Sequence, residues 1–381
     1  MEYKKLNELC EINIGKTPSR NKSEYWGEGS SWLSISDLKD KFITKTKEEI
    51  TSMAISACNM KIVPKDTVVM SFKLSIGKTA ILKEDMYTNE AIANFPIKNN
   101  SLIPEYLYYA IKTLNFDNTD RAVMGATLNK AKLNELRIPY CEINKQKEIV
   151  EVLNKSQELI DKRKKQIEEL DELVKSQFIK IFSEVNEYVR VSEYIESLTA
   201  GKSLVGESEC KNKVLNTGSI SYDYFDMNQV KNLPNDYIPK EEHLVNVGDV
   251  LISRMNTSEL VGATAYVWNV NPNTYIPDRL WKANFKPNCN PIFVWQLLIQ
   301  SSTKEKIRRI ASGTSGSMKN ISKLGLLGIE VIKVDIEKQN EFANFVKQVD
   351  KLKFEMEKSL KELEDNFNSL MQKSFKGELF N

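Results

Sequence analysis

Histidine is almost absent from this chain of 381 residues: His243 stands alone. A metal site built on histidine, or a catalytic dyad or triad with a second one, therefore lacks its usual parts. The five cysteines, Cys10, Cys58, Cys141, Cys210 and Cys289, are odd in number, scattered, and never form a Cys-x-x-Cys pair. That argues against a disulfide framework. Long apolar runs are missing as well. Stretches such as LGLLGIEVI at 324–332 fall far below the roughly 20 residues of a membrane-spanning helix. The opening MEYKKLNELCEI lacks the basic-then-apolar pattern of a secretion leader. The expected location is the cytoplasm.

Catalytic signatures are equally scarce. His243 lies in KEEHLVNVGD, which reads as a solvated approach to a strand. Among the 52 acidic residues no pair stands out as an acid/base constellation. An N-P-P-Y-type adenine-methylation motif and a Gly-rich cofactor loop are both absent. IGKT occurs at 14–17 and again at 76–79, but a phosphate loop needs a glycine five residues earlier, where Cys10 and Phe72 stand. The chain is expected to catalyse nothing, to hold no cofactor and to bind no metal. Lys16 and Lys78 read as basic loop residues available to phosphates.

What the chain does have is itself, twice. Gln146 opens a long charged helical stretch, and Gln339, 193 residues later, opens another. In the first, Ile149, Leu153, Ile160, Ile167, Leu170, Val174 and Ile181 follow three- and four-residue steps, with Asn144 as a plausible cap. In the second, Phe342, Val346, Val349, Met356, Leu360, Leu363, Phe367 and Leu370 do the same. Ser156, Arg163 and Lys353 interrupt these seams. A single apolar stripe on a helix that long needs a partner, and the simplest is the other copy, antiparallel.

The segments before the helices also match. VPKDTVVMSFK (63–73) is mirrored by VNVGDVLISRM (245–255), and GKTAIL (77–82) by GATAYV (262–267). The apolar pattern is shared and the polar residues differ, as when one scaffold reads two targets. The expected class is α+β, with two similar globular domains at 1–143 and 185–336, each followed by a long helix at 144–184 and 337–381.

Net charge is only +2, but its distribution is uneven. Lys304, Lys306, Arg308, Arg309 and Lys319 face a single acid, Glu305, whereas residues 144–182 carry nine basic and eight acidic residues. Two corresponding Gly/Ser-containing basic stretches, RAVMGATLNKAK (121–132) and RRIASGTSGSMKN (308–320), fit nucleic acid. Arg and Lys neutralise phosphates, while Asn, Thr and Arg can read base edges. The expected contacts are Lys16, Thr17, Arg20, Lys73, Lys78, Arg121, Thr127, Asn129 and Lys130 in the first half. In the second they are Lys202, Arg254, Asn256, Arg308, Arg309, Ser315, Lys319 and Asn320.

These elements together resemble the specificity subunit of a type I restriction-modification system, over essentially the whole length. LNELCEINIGKTP opens the first recognition domain, SFKLSIGKTAI lies in its middle, INKQKEIVEVL starts the first helix and SLMQKSFKGELF ends the second. The second half departs in NTSELVGATA and in its opening VSEYIESLTAGKS. The resemblance implies a non-catalytic protein that reads a bipartite double-stranded DNA site, one half per domain, with paired helices setting the spacer. It implies two methylase subunits carrying S-adenosylmethionine, and translocase–nuclease subunits that join for cleavage. The competing readings are a coiled-coil adaptor that binds only proteins and a phosphate-loop ATPase.

Overall fold

The computed structural model describes residues 1–114, 116, 120–122, 125–313 and 318–379. Two compact units divide the chain: residues 1–164 with 358–381, and residues 165–357. Both are α+β. Among the described residues no helix is long and apolar enough to cross a membrane.

The first unit is built on a five-stranded sheet ordered Asn13–Ile14, Ile92–Phe95, Val68–Ser71, Thr79–Leu82, Phe42–Ile43. The last strand runs parallel to its neighbour and the rest are antiparallel. The three central strands are buried at every position, which is why they read as near-continuous apolar runs. The helix Pro104–Lys112 packs on this sheet, with proline in its first turn, where no backbone N–H is needed. A smaller sheet orders Glu48–Ile50, Trp26–Leu33 and Tyr87–Thr88, the last pair parallel.

The second unit repeats this plan. Its main sheet orders Ile195–Ala200, Leu280–Phe285, Val250–Ser253 and Thr264–Tyr266, four strands among the described residues. The smaller sheet again contains one parallel pair, Lys213–Leu215 with Thr274–Tyr275. Each unit is also tied by an antiparallel pair next to a long helix: Glu2–Lys5 with Arg137–Tyr140, and Tyr188–Arg190 with Glu330–Ile332.

The long helices span Ile143–Phe182 and Ile336–Lys376. The first begins one residue before Asn144, so that asparagine lies in its first turn and not at its cap. Ile149, Leu153, Ile160, Leu170, Val174 and Val349 are buried, while Ile167, Met356, Leu360, Leu363, Phe367 and Leu370 are half-buried. Ile181 departs from expectation and is exposed. There the buried face follows Leu170, Val174, Phe178 and Phe182, because the two phenylalanines pack against Phe293 and Phe342. Within the second unit Phe178 meets Phe342 and Asp171 meets Lys353, so the two helical segments run antiparallel. Within the first, Ile149 and Leu153 share a core with Phe367, Leu370 and Phe375, and Lys164 pairs with Glu364 at 2.8 Å.

The repeated glutamines explain themselves here. Gln146 Oε1 accepts from Ile103 N (2.9 Å), and its Nε2 donates to Cys141 O (2.8 Å) and Ser101 O (2.9 Å). Gln339 Oε1 accepts from Asn290 N (2.9 Å), and its Nε2 donates to Val334 O (2.7 Å). Both side chains are fully buried. Each glutamine locks the first turn of a long helix to the loop before the short helix of its unit.

Candidate nucleic-acid interface

The two glycine–lysine pairs at matching places serve the backbone first. A Cβ on Gly15 would collide with the carbonyl oxygen of Thr88, and one on Gly201 with that of Ile276. Glycine is required there because two chain segments cross in contact. The lysines that follow, Lys16 and Lys202, are exposed, with Thr17 half-buried. The Lys16 ammonium donates to the carbonyls of Cys58 (3.0 Å) and Asn59 (3.1 Å). The second IGKT, at 76–79, is a turn in which Gly77 takes a φ of +90°.

The clearest duplicated geometry lies at the end of the central strand. Ser71 N donates to Lys78 O, Gly77 N to Ser71 O, and Thr79 Oγ1 to Gly77 O, at 2.9, 3.0 and 3.0 Å. In the second unit Ser253 N donates to Ala263 O, Gly262 N to Ser253 O, and Thr264 Oγ1 to Gly262 O, at 2.8, 2.8 and 3.0 Å. The same clamp thus closes a loop over 72–76 in one unit and 254–261 in the other. Next to it, Leu128 N donates to Phe72 O (2.9 Å), and Ile321 N to Arg254 O (3.0 Å). A clamp shared by both units, carrying unlike loops, is a scaffold for varied recognition.

In the second unit this brings four expected contacts together. Met255–Asn256 pairs with Lys319–Asn320, setting Asn256 opposite Lys319. Arg254 is fixed through its backbone, since its N donates to Arg279 O (3.0 Å). Its guanidinium stands 5.8 Å from the Trp281 ring centroid and donates one long bond, 3.5 Å, to Asn320 Oδ1. In the first unit Lys73 and Lys78 lie on the matching loop, Lys73 half-buried beside the Phe72 ring and Lys78 exposed. Arg121 and Thr127 belong to the paired strands Asp120–Ala122 and Gly125–Thr127. Their side chains, and all of Ser315, lie outside the described residues.

Other expected contacts are already engaged. Arg20 meets Glu48 through both terminal nitrogens and stacks 3.6 Å from the Trp26 ring centroid. Its hydrogen bond holds the Glu48 carboxyl below the usual range. Arg308 donates to Glu259 O (3.1 Å), and Lys319 to Gly313 O (2.8 Å). Arg309 and Lys130 remain exposed, Arg309 with only a 3.8 Å approach to Glu305. Asn129 accepts from Lys132 N (2.8 Å) as the cap of the helix Lys130–Glu135, the place Ser322 takes before Lys323–Leu327. We expect Asn129→Ala to lower stability by about 1 kcal/mol through the lost cap. A denaturation curve checks this, and an unchanged midpoint would contradict it.

Two expectations need correction. Lys304 is not part of a surface charge cluster: it is buried, paired with Asp223 and bonded to Gly262 O (3.1 Å), and burial pushes its pKa down. Its partner lies 81 residues away, out of reach of any local reading. His243 is not solvated either. It is buried in a short 3₁₀ turn, Glu241–His243, and burial pushes its pKa down.

Residues 1–172 match the type I restriction modification DNA specificity domain. That part of the chain is similar to specificity subunits of type I restriction-modification systems. The chain is 33% identical to the MjaIX specificity subunit of Methanocaldococcus jannaschii over 189 residues, covering 47% of this chain and 44% of that one. Against the EcoR124I/EcoR124II specificity subunit of Escherichia coli the identity is 28%, over 41% of this chain and 40% of the relative. The matched part is thus under half the length of these two relatives. The MjaVIII specificity subunit of M. jannaschii aligns more widely, at 23% identity over 92% of this chain and 86% of that one. The fold is that of the type I S subunit from M. genitalium, with a TM-score of 0.52, 14% identity, and 98% and 96% coverage. A structure described as showing complex assembly and conformational transition of the type I R-M system matches at a TM-score of 0.60, with 14% identity and 99% and 98% coverage.

Proposed function

We propose that this chain is a non-catalytic DNA sequence-specificity subunit of a type I restriction-modification complex. Each unit reads one half of a bipartite double-stranded site. The long helices, paired as an antiparallel coiled coil, set the unspecified spacer and dock two methylase subunits. Those subunits carry S-adenosylmethionine and the methylating chemistry, and translocase–nuclease subunits join them for cleavage. Lys73, Lys78, Arg254, Asn256, Lys319 and Asn320 are the first candidates for contact with DNA, and Lys16, Lys130, Lys202 and Arg309 for phosphate. The observation that carries this reading is the duplicated clamp, which holds unlike loops on one framework.

Modified-base sequencing of a strain with and without the gene tests it directly: a bipartite methylated motif should vanish with the gene. Replacing residues 1–143 with the matching segment of a relative should then change one half of that motif and leave the other intact. A replacement that alters both halves counts against independent readers, and an unchanged methylome after deletion counts against the function.

A further inference from the structure

In the first unit one lysine is seated inside the fold. Lys41 Nζ donates to Glu105 Oε1 (2.7 Å) and Asn154 Oδ1 (2.6 Å) and lies 4.7 Å from the Tyr109 ring centroid. The edge strand Phe42–Ile43 delivers it, anchored by Ile81 N donating to Lys41 O (2.8 Å). An alkylammonium thus fills the cleft between the short helix Pro104–Lys112 and the first long helix, satisfied by a carboxylate, an amide oxygen and an aromatic face.

In the second unit the corresponding sheet has four strands among the described residues, with Thr264–Tyr266 at its edge. Trp295 and Gln296 stand four and five residues after Pro291, as Tyr108 and Tyr109 do after Pro104. By the same offsets the acceptors of Lys41, Glu105 and Asn154, correspond to Ile292 and Lys347, so the carboxylate of the second unit, Asp350, comes from a different position, eleven residues after Gln339. A cavity of about 330 Å³ opens here, wholly within residues 165–357, lined by Tyr224, Tyr266, Trp268, Trp295, Gln296 and Asp350 among others. Tyr266, Trp268 and Trp295 form one aromatic group, with ring centroids 4.4–6.2 Å apart. Gln296 is 4% exposed, and its Oε1 has no hydrogen-bond partner among the described residues. The ammonium of Lys353, which also lines the cavity, is committed to Asp171 through both carboxylate oxygens, at 2.7 and 2.8 Å. Asp350 is left with too little positive charge: burial, with Glu357 and Asp171 nearby, pushes it up to about 6 against the pull of Lys353.

The geometry points to a binding site for an organic cation: the second unit takes the ammonium or guanidinium end of an alkyl chain from outside, where the first unit keeps Lys41. Asp350 supplies the acceptor. The indole and phenol faces supply cation–π attraction and an apolar sleeve for the methylenes. A phosphate would meet carboxylates here, so this site is separate from the proposed DNA contacts and stands or falls without them.

The test is calorimetric titration of the full chain, with tryptophan fluorescence as a second readout. N-acetyl-lysine methylamide and N-acetyl-arginine methylamide represent a partner's side chain, and putrescine and spermidine a free polyamine. Saturable binding is expected, and whichever pair binds tighter identifies the source. Asp350→Asn is close in shape and removes a poorly compensated charge, so the variant should stay folded. It should weaken binding about tenfold or more, as the loss of a charge-assisted bond does. Ile299→Lys, which places an ammonium at the cavity wall, should abolish binding in a variant whose thermal melt shows it folded. No saturable binding up to ~10 mM, a concentration reached by even weak specific sites, would overturn the inference. So would binding that Asp350→Asn leaves unchanged.

Discussion

Replacing Gln339 by alanine is expected to lower the stability of the second unit by about 3–5 kcal/mol. The amide is buried and answers one backbone donor, Asn290 N, and one backbone acceptor, Val334 O. Alanine strands both, at about 1–3 kcal/mol each, and leaves a cavity besides. Glutamate keeps the shape and the acceptor but loses the donor and adds a charge in a dry place, so it should do no better than alanine. For a unit of this size the loss corresponds to roughly 10 °C in melting temperature. Gln146→Ala should cost the first unit at least as much, since that amide also donates to Ser101 O. Thermal and urea melts of each variant check the pair. A midpoint within a degree of wild type would show that water or a rearranged loop replaces the amide.

The second large effect is expected in recognition. Arg254 is held at both backbone ends and, among the described residues, uses its guanidinium for one long bond to Asn320, leaving most of its donors for a base edge or phosphate. On the function proposed above, Arg254→Ala should cost about 1–3 kcal/mol in binding and relax the motif at one position of one half-site. A phosphate role has a different signature: uniform weakening across sequences and a log–log salt slope smaller by about one. Methylated-motif sequencing together with affinity measured at several salt concentrations separates the two. If motif, affinity and slope all stay as in wild type, Arg254 does not face DNA. Lys73→Ala in the first unit should act on the other half-site.

Much of the architecture was legible because it rests on local period. The long helices declare themselves through steps such as Ile149, Leu153 and Ile160, and the buried central strands through runs such as VVMS and VLIS. The duplication was legible because both glutamines sit at the same helical turn. What escaped depends on partners distant in sequence. Lys304 looked like surface charge until Asp223 came to it, and Lys41 carried no mark of burial, since Glu105 and Asn154 lie 64 and 113 residues away. The cavity was hidden for the same reason: its lining residues, from Asp171 to Lys353, meet only in the folded unit. The buried ladder through Phe178 and Phe182 was missed because a strict helical seam favours Ile181, and only the facing aromatic cluster turns the helix.

The division of the two long helices between the units fixes an order of events during synthesis. Residues 165–357 are continuous, so the second unit has all its parts as soon as that stretch leaves the ribosome. The first unit does not. Its core includes Phe375, 3% exposed and 5.3 Å from the Tyr106 ring, in a segment made more than two hundred residues later. Until then the core around Tyr106 and Leu153 lacks that ring, so the half translated first is expected to complete its core last.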